Sequence, residues 1–392
     1  MPDTEPVYIA GAFEHPTREA PDKSTMQLHA EVAKGALDDA GLEKDAVNGF
    51  LTAGIPEYET GLPPLIAADY LGLDVSYADS TDYGGSSYVS HVGHAAAAIR
   101  DGKCDVALVT LAGRPRSRGQ STGSGARAIR DFQDSFERIY GTTNITMYGM
   151  AARRHMAEYG TTSEQLAEIR AAASHHAQFN EHALYQDPVS VEDVVGSRVV
   201  ADPLHLLDCC VITDGGGALV LVSEDVRDDL ERECVEVLGH GEAIKDHDAG
   251  RADLTYTGAR WSGPRAYEEA GVGPDDIDYA SIYDSFTITV LETIEDLGFC
   301  EKGEGGEFVE DGNLKSPDGD LPFNTDGGGL CSNHPSNRGG MTKVIEAVRQ
   351  LRGEANEEVQ VPDCDVALAH GTGGSLATRH GSATVILGGE GR

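Results

Sequence analysis

The chain has 392 residues, 40% of them hydrophobic, and carries 30 basic against 66 acidic side chains for a formal net charge of -36. That length supports a substantial core and two domains rather than one. So acidic a surface excludes nucleic acid and anionic membranes as partners.

The acidic residues run along the whole chain, and arginine outnumbers lysine. Such a surface suits concentrated salt, where screening removes most self-repulsion. The expected result is unfolding at low ionic strength, followed by circular dichroism; full stability in dilute buffer contradicts the salt-adapted reading. No apolar run reaches bilayer length. Met1 to Pro6 is acidic and lacks the layout of a signal peptide, which points to the cytoplasm. Seven cysteines are scattered without a CxxC pair or a Cys/His set at zinc spacing. They read as reduced, buried thiols, and no metal site is expected.

In chain order, "PVYIAGA" opens a first α/β half. "DYGGSSYVSHVGHAAAAI" (82–99) is a Gly/Ser turn leading into a small-residue helix over 89–101. Glycine doublets let a backbone turn sharply or approach another group closely. Ser86 and Ser87 stand where that helix starts, and capping is their simplest role. His91 and His94 read as packing residues of the helix. Cys104-Asp-Val-Ala-Leu108 follows as a buried strand. Residues 113–202 differ in character. They begin with Arg114, Arg116 and Arg118 among glycines and serines. They continue with helical patterns such as "TTSEQLAEIRAAASHHA", where Thr162 and Gln165 have capping-box spacing. This region reads as an insertion that covers a site, with His175 and His176 on its surface or in a lid. "GGGALVLVSE" (215–224) is the last strand of the first half, which spans 1–226.

The second half, 227–392, opens on "CVEVLGHGEA" and closes on "SATVILGG". Within it, Cys364-Asp-Val-Ala-Leu368 repeats the earlier strand, again after a helix (339–352) and a Gly/Ser/Asn loop. The same loop-helix-strand order around both copies indicates a duplicated α/β half. Familiar signatures fail. Tyr88 stands where a GxSxG elbow needs glycine. Gly123-Ser-Gly-Ala-Arg-Ala128 is only a partial dinucleotide fingerprint inside a polar loop. No phosphate loop or HExxH is present.

Polar loops remain at "YGGSSYVSH" (83–91), "YDSFT" (283–287), "SNHPSNRGG" (332–340) and "AHGTGGS" (369–375). Loops at the carboxyl ends of strands are where α/β sites assemble. Together these loops, with "DPLHLLDCCVITDGGGALVLV" (202–222) between the first and second, resemble the thiolase superfamily. The branch is that of sterol-carrier-protein-2 thiolase, including archaeal, haloarchaeal-type acetyl-CoA acetyltransferase (β-ketothiolase) large subunits. The resemblance covers nearly the whole chain. It implies a thiolase fold of two βαβαβαββ halves in an α-β-α-β-α sandwich, with 113–202 inserted.

The resemblance also implies departures. Gly85 falls on the family's cysteine nucleophile, and no cysteine lies between residues 1 and 103. Tyr283 and Ser285 replace the histidine and cysteine of the His-Asp-Cys-Phe motif, and Asn333 replaces the glycine before His-Pro. The implied enzyme condenses two acyl-CoA units or cleaves a 3-ketoacyl-CoA, using Ser86 as acyl carrier, His334 as its base and His370 as second acid/base. Ser87 is the neighbouring candidate for the nucleophile. Gly85, Ser87, Tyr283, Asp284, Ser285, Gly373 and Gly374 are expected to line the substrate site, the glycines offering N–H groups to an oxyanion. The Arg114–Arg118 cluster fits coenzyme A phosphates or an oligomer contact. Coenzyme A thioesters are substrates, and no cofactor is held permanently. Implied partners are a second copy or higher oligomer and a small OB-fold subunit, in some relatives with a zinc ribbon. The product would feed isoprenoid lipids or polyhydroxyalkanoate. The alternative is a non-catalytic acyl-CoA or lipid-binding scaffold that kept the fold without its cysteine.

Overall fold

The computed structural model describes residues 5–55, 62–122, 140–141, 143–246, 251–335, 339–376 and 378–390. The partial fingerprint at 123–128 lies outside them. Its first half runs β1 (Val7–Glu14), α1 (Thr25–Ala40), β2 (Gly49–Leu51), α2 (Pro63–Leu71), β3 (Tyr77–Asp79), α3 (Ser87–Arg100), β4 (Val106–Gly113) and β5 (Gly215–Ser223). This is the expected βαβαβαββ order. The second half runs β6 (Val235–Lys245), α6 (Ala259–Ala270), β7 (Tyr279–Ile282), α7 (Thr287–Asp296), α8 (Gly340–Leu351), β8 (Val366–Ser375) and β9 (Thr378–Gly388). The insertion contributes α4 (Asn144–Tyr159) and α5 (Ser163–Ala177) within the first half, between β4 and β5.

These nine strands form one sheet, ordered β3-β2-β4-β5-β1-β6-β9-β8-β7, and Val199–Ala201 pairs with Leu204–His205 in a separate two-stranded sheet. The order on either side of the β1–β6 pair repeats, as a duplication requires. The second half departs at its edge. Where the first half has β3, the second has only a one-residue parallel bridge from Phe323 to Ala280. The Asn324 side chain completes that edge by accepting from Ile282 N and donating to Ile282 O. The second half is therefore a βαβαβαββ unit with its third strand reduced to a bridge.

Strand alternation assigns the layers. In β4, Ala107, Val109 and Leu111 share a core with α3 and α8, while Val106 and Leu108 share one with α1. In β8, Ala367 and Ala369 face α3 and α8, while Val366 and Leu368 face α6. The helices α3 and α8 thus lie between the two half-sheets, and α1 and α6 cover the outside. This explains the small residues of α3. A Cβ at Gly93 would stand 2.2 Å from the His240 ring, so only glycine admits that strand.

The halves are also tied by charge. His94 joins Asp79 of β3 to Glu242 of β6 at 2.8 and 2.7 Å, and these two partners push its pKa up to about 9. The expected capping box at Thr162 and Gln165 forms in both directions and starts α5. Helices α4 and α5 pack on Phe286, Ile288, Leu330 and Cys331 of the second half, so the insertion covers loops of the opposite half. His176 is not a surface residue. It is fully buried and accepts from Ser316 N at 2.9 Å.

Candidate active site

The turn Tyr83–Ser87 needs glycine twice. Gly84 has φ +75°, and a Cβ on Gly85 would lie 2.2 Å from the Thr372 carbonyl and 2.5 Å from the Tyr283 ring. The place a side chain would take at position 85 is filled by Tyr283. Gly371 and Gly373 let β8 press against the same turn; a Cβ on Gly373 would fall 1.6 Å from the Tyr83 carbonyl. Both serines are fully buried and stitch this turn. Ser86 Oγ donates to Tyr83 O at 3.0 Å, and Ser87 Oγ donates to Gly84 O at 2.7 Å while accepting from Tyr83 N. Neither hydroxyl meets an imidazole among the described residues.

Tyr283 ends the segment after β7, and its N–H donates to the His370 carbonyl. Its phenol lies 2.7 Å from His334 Nε2. On the other side of the imidazole, Cys210 Sγ stands 3.7 Å from Nδ1. The backbone fixes His334 through its N–H to Thr213 Oγ1, and Thr213 in turn donates to Asn333 Oδ1. Burial, helped by the Lys343 charge, lowers the His334 pKa to about 4, against the pull of Asp284. Burial pushes the Tyr283 and Cys210 pKa values well above their ordinary ranges. The trio therefore rests uncharged at neutral pH. A phenol donating to Nε2 leaves Nδ1–H directed at the sulfur, an arrangement suited to passing a proton along Tyr283 and His334.

Asp284 does not face this group. Its carboxylate accepts from Gly329 N at 2.8 Å and Leu330 N at 3.0 Å, and it pairs with the buried Lys343 ammonium at 3.3 Å. It thus ties the Tyr283 segment to the loop that delivers His334. Ser285 Oγ lies 3.3 Å from Thr289 Oγ1, and its carbonyl accepts from Cys210 N.

His370 is placed apart from Ser86 and His334. The segment 369–375, read as a loop from the sequence, continues β8 as far as Ser375. Alternation then sets the His370 side chain beside Val366 and Leu368, on the α6 side. There its Nδ1 lies 2.9 Å from Thr384 Oγ1, which bonds Ser262 of α6. Gly371, on the opposite face, touches Ser86. Arg114 is taken up by the carbonyls of Ala20 and Pro21, and Arg116 by Glu19 and Ile212 O. The structure thus brings together Gly85, Tyr283, His334, Gly373 and Gly374, and adds Cys210, with the Asp284–Lys343 pair behind them. The doublet at 209–210 gave no sign of this in the sequence.

Burial also lowers the pKa of His29, His91, His240, His176, His370 and His380, each to about 3 or 4. The unfolded chain binds these protons first. The stability these six buried neutral histidines contribute is expected to be full above about pH 6.5 and to fall as pH drops from there toward 4, while the His94 ion pairs add stability that is full below about 6.5 and lost as pH rises toward 9. Denaturant titrations between those pH values check this; a flat profile contradicts it.

Comparison with known proteins bears on this geometry. A thiolase N-terminal domain model matches residues 7–225, and a thiolase C-terminal domain-like model matches 241–389. Acetyl-CoA acetyltransferase of Methanothermobacter thermautotrophicus is 35% identical over 380 residues, 95% of this chain and 97% of that protein. Steroid side-chain-cleaving aldolase of Thermomonospora curvata is 34% identical over 345 residues, 84% of this chain and 86% of that protein. The solved Ltp2-ChsH2(DUF35) aldolase superposes with a TM-score of 0.86 at 32% identity, covering 99% of this chain and 98% of that one.

Proposed function

The chain belongs to the thiolase family, and within it we propose that it makes or breaks a carbon–carbon bond of a coenzyme A thioester by proton transfer, without an acyl-enzyme. The observation that carries this reading is the Tyr283 phenol, 2.7 Å from His334 Nε2, with its ring in the space a nucleophile at position 85 would need. The substrate class is a 3-hydroxyacyl-CoA. Tyr283 takes the proton of the 3-hydroxyl as its own passes to His334 Nε2. The C2–C3 bond breaks, C3 becomes a carbonyl, and the electron pair passes into the thioester as an enolate. His334 returns the proton through Tyr283 to C2. One thioester gives one aldehyde or ketone and one shortened acyl-CoA, with no net proton change. The two similar proteins named as aldolases favour this class.

The acetyl-CoA acetyltransferase reading, with Ser86 as acyl carrier, draws on the relative that spans 95% of the chain. It requires Ser86 to leave the Tyr83 carbonyl and find a base. The Ser86→Ala variant separates the two. Under the aldolase reading it turns over a 3-hydroxyacyl-CoA within about threefold of wild type, with a stability loss of about 1 kcal/mol for one hydroxyl hydrogen bond. Loss of all activity in a folded Ser86→Ala protein contradicts it. A small OB-fold partner and a second copy remain part of the proposal; the similar solved structure is named as an assembly with a DUF35 protein.

A further inference from the structure

A cavity of about 500 Å3 opens outside the Tyr283–His334 site, at the carboxyl end of β6 and the first turn of α6. Its lining includes Lys245, Arg251, Tyr256, Arg260, Trp261 and Arg265. Lys245 pairs in register with His380, which pairs with Gly374, so the cavity lies two strands, about 10 Å, from the glycine loop of the site.

Several cations gather in this cavity without an ion-pair partner among the described residues. Arginines such as Arg100, Arg232 and Arg352 each hold a carboxylate. Here the Lys245 ammonium donates to the backbone carbonyls of Asp253 and Tyr256, and Arg265 donates to the Glu242 carbonyl. The Arg260 guanidinium lies 4.3 Å from the centre of the Tyr256 ring and 6.0 Å from that of Trp261. Among the described residues, none of these three cations has a carboxylate within ion-pair distance. Asp253, also in the lining, spends Oδ1 on Thr255 N and Oγ1. The α6 N-terminus receives no side-chain cap. Lys245 still feels the carboxylates of Asp253, Glu292 and Asp296. In a chain with 66 acidic residues, leaving Arg260 and Arg265 without a carboxylate among the described residues at one concavity is a costly arrangement without an anion to meet. Trp261 is 41% exposed, which leaves a broad aromatic surface beside those cations.

We propose that this cavity binds an adenine nucleotide, its ring stacked on Trp261 and its phosphates held by Arg260, Arg265 and Lys245. The volume falls in the range of small-molecule sites. Guanidinium groups with aromatic rings recognise phosphates and bases together. The nucleotide end of a coenzyme A thioester and a free nucleotide carry the same chemistry. The inference stands apart from the aldolase reading, since it needs neither Tyr283 nor His334.

Trp261 is the only tryptophan of the chain, so its fluorescence reports this cavity alone. Wild type would be titrated with ADP, coenzyme A, adenosine, pyrophosphate and an oligoglutamate peptide, at a salt concentration that keeps it folded. Saturable quenching by ADP or coenzyme A is expected, with adenosine and pyrophosphate at least about tenfold weaker. Arg260→Gln and Arg265→Gln, both exposed changes, should each weaken nucleotide binding about tenfold while circular dichroism stays unchanged. If coenzyme A quenches and Arg260→Gln raises KM for the thioester, the nucleotide is the substrate's own. If ADP binds and KM does not move, the site serves a free nucleotide. Absence of saturable quenching by both nucleotides overturns the proposal. So does quenching by oligoglutamate alone, which would mark a protein surface, or equal nucleotide affinity in both arginine variants.

Discussion

Tyr283→Phe is expected to lower carbon–carbon bond cleavage by about 10²–10⁴-fold while leaving a folded protein. The substitution removes one oxygen. The ring stays, so the space beside Gly85 remains filled. What disappears is the hydroxyl 2.7 Å from His334 Nε2, and with it the path for the proton. The loss should appear in kcat, because the phenol acts on the reacting atoms. His334→Ala should cost a similar factor by removing the other end of that path. Stopped assays for acyl-CoA release, beside thermal melts, check both. A Tyr283→Phe protein with near-normal kcat removes Tyr283 from the chemistry.

Lys343→Met is expected to give the largest loss of stability, about 3–5 kcal/mol. Lys343 is 1% exposed and its ammonium pairs with Asp284, equally buried. The nearby charges of Asp284 and Asp326 hold the Lys343 pKa up despite burial. Methionine matches the length of the side chain but leaves Asp284 charged and unpaired in the interior. Adding Asp284→Asn to Lys343→Met should restore part of the loss, since the pair is removed together. Denaturant unfolding of the two single variants and the double variant checks this. A Lys343→Met protein within about 1 kcal/mol of wild type contradicts it.

Part of this was written in the sequence. The two Cys-Asp-Val-Ala-Leu strands gave the duplication because each sits inside the same local order of loop, helix and strand. Thr162 and Gln165 gave the start of α5 because a capping box is local. The glycine at position 85 could be read as a missing nucleophile, but not what fills the gap. Tyr283 reaches it through the β7–β8 pairing, which no local pattern encodes. His370 was misplaced for a related reason. Its role depends on where β8 ends, and reading 369–375 as a loop hides which face of the strand its side chain takes. The pairing of Cys210 with His334 spans 124 residues and arises from how the insertion returns to β5.

Bond cleavage by proton transfer through Tyr283 and His334, as proposed, forms no acyl group on the protein. Intact-mass measurement during turnover tests it most directly. Wild type would be quenched in acid after mixing with acetyl-CoA and, separately, with a 3-hydroxyacyl-CoA. The unmodified mass is expected in both samples while cleavage of the 3-hydroxyacyl-CoA proceeds. An acyl adduct that maps to the peptide holding Ser86 or Cys210, and disappears in Ser86→Ala or Cys210→Ser, contradicts it.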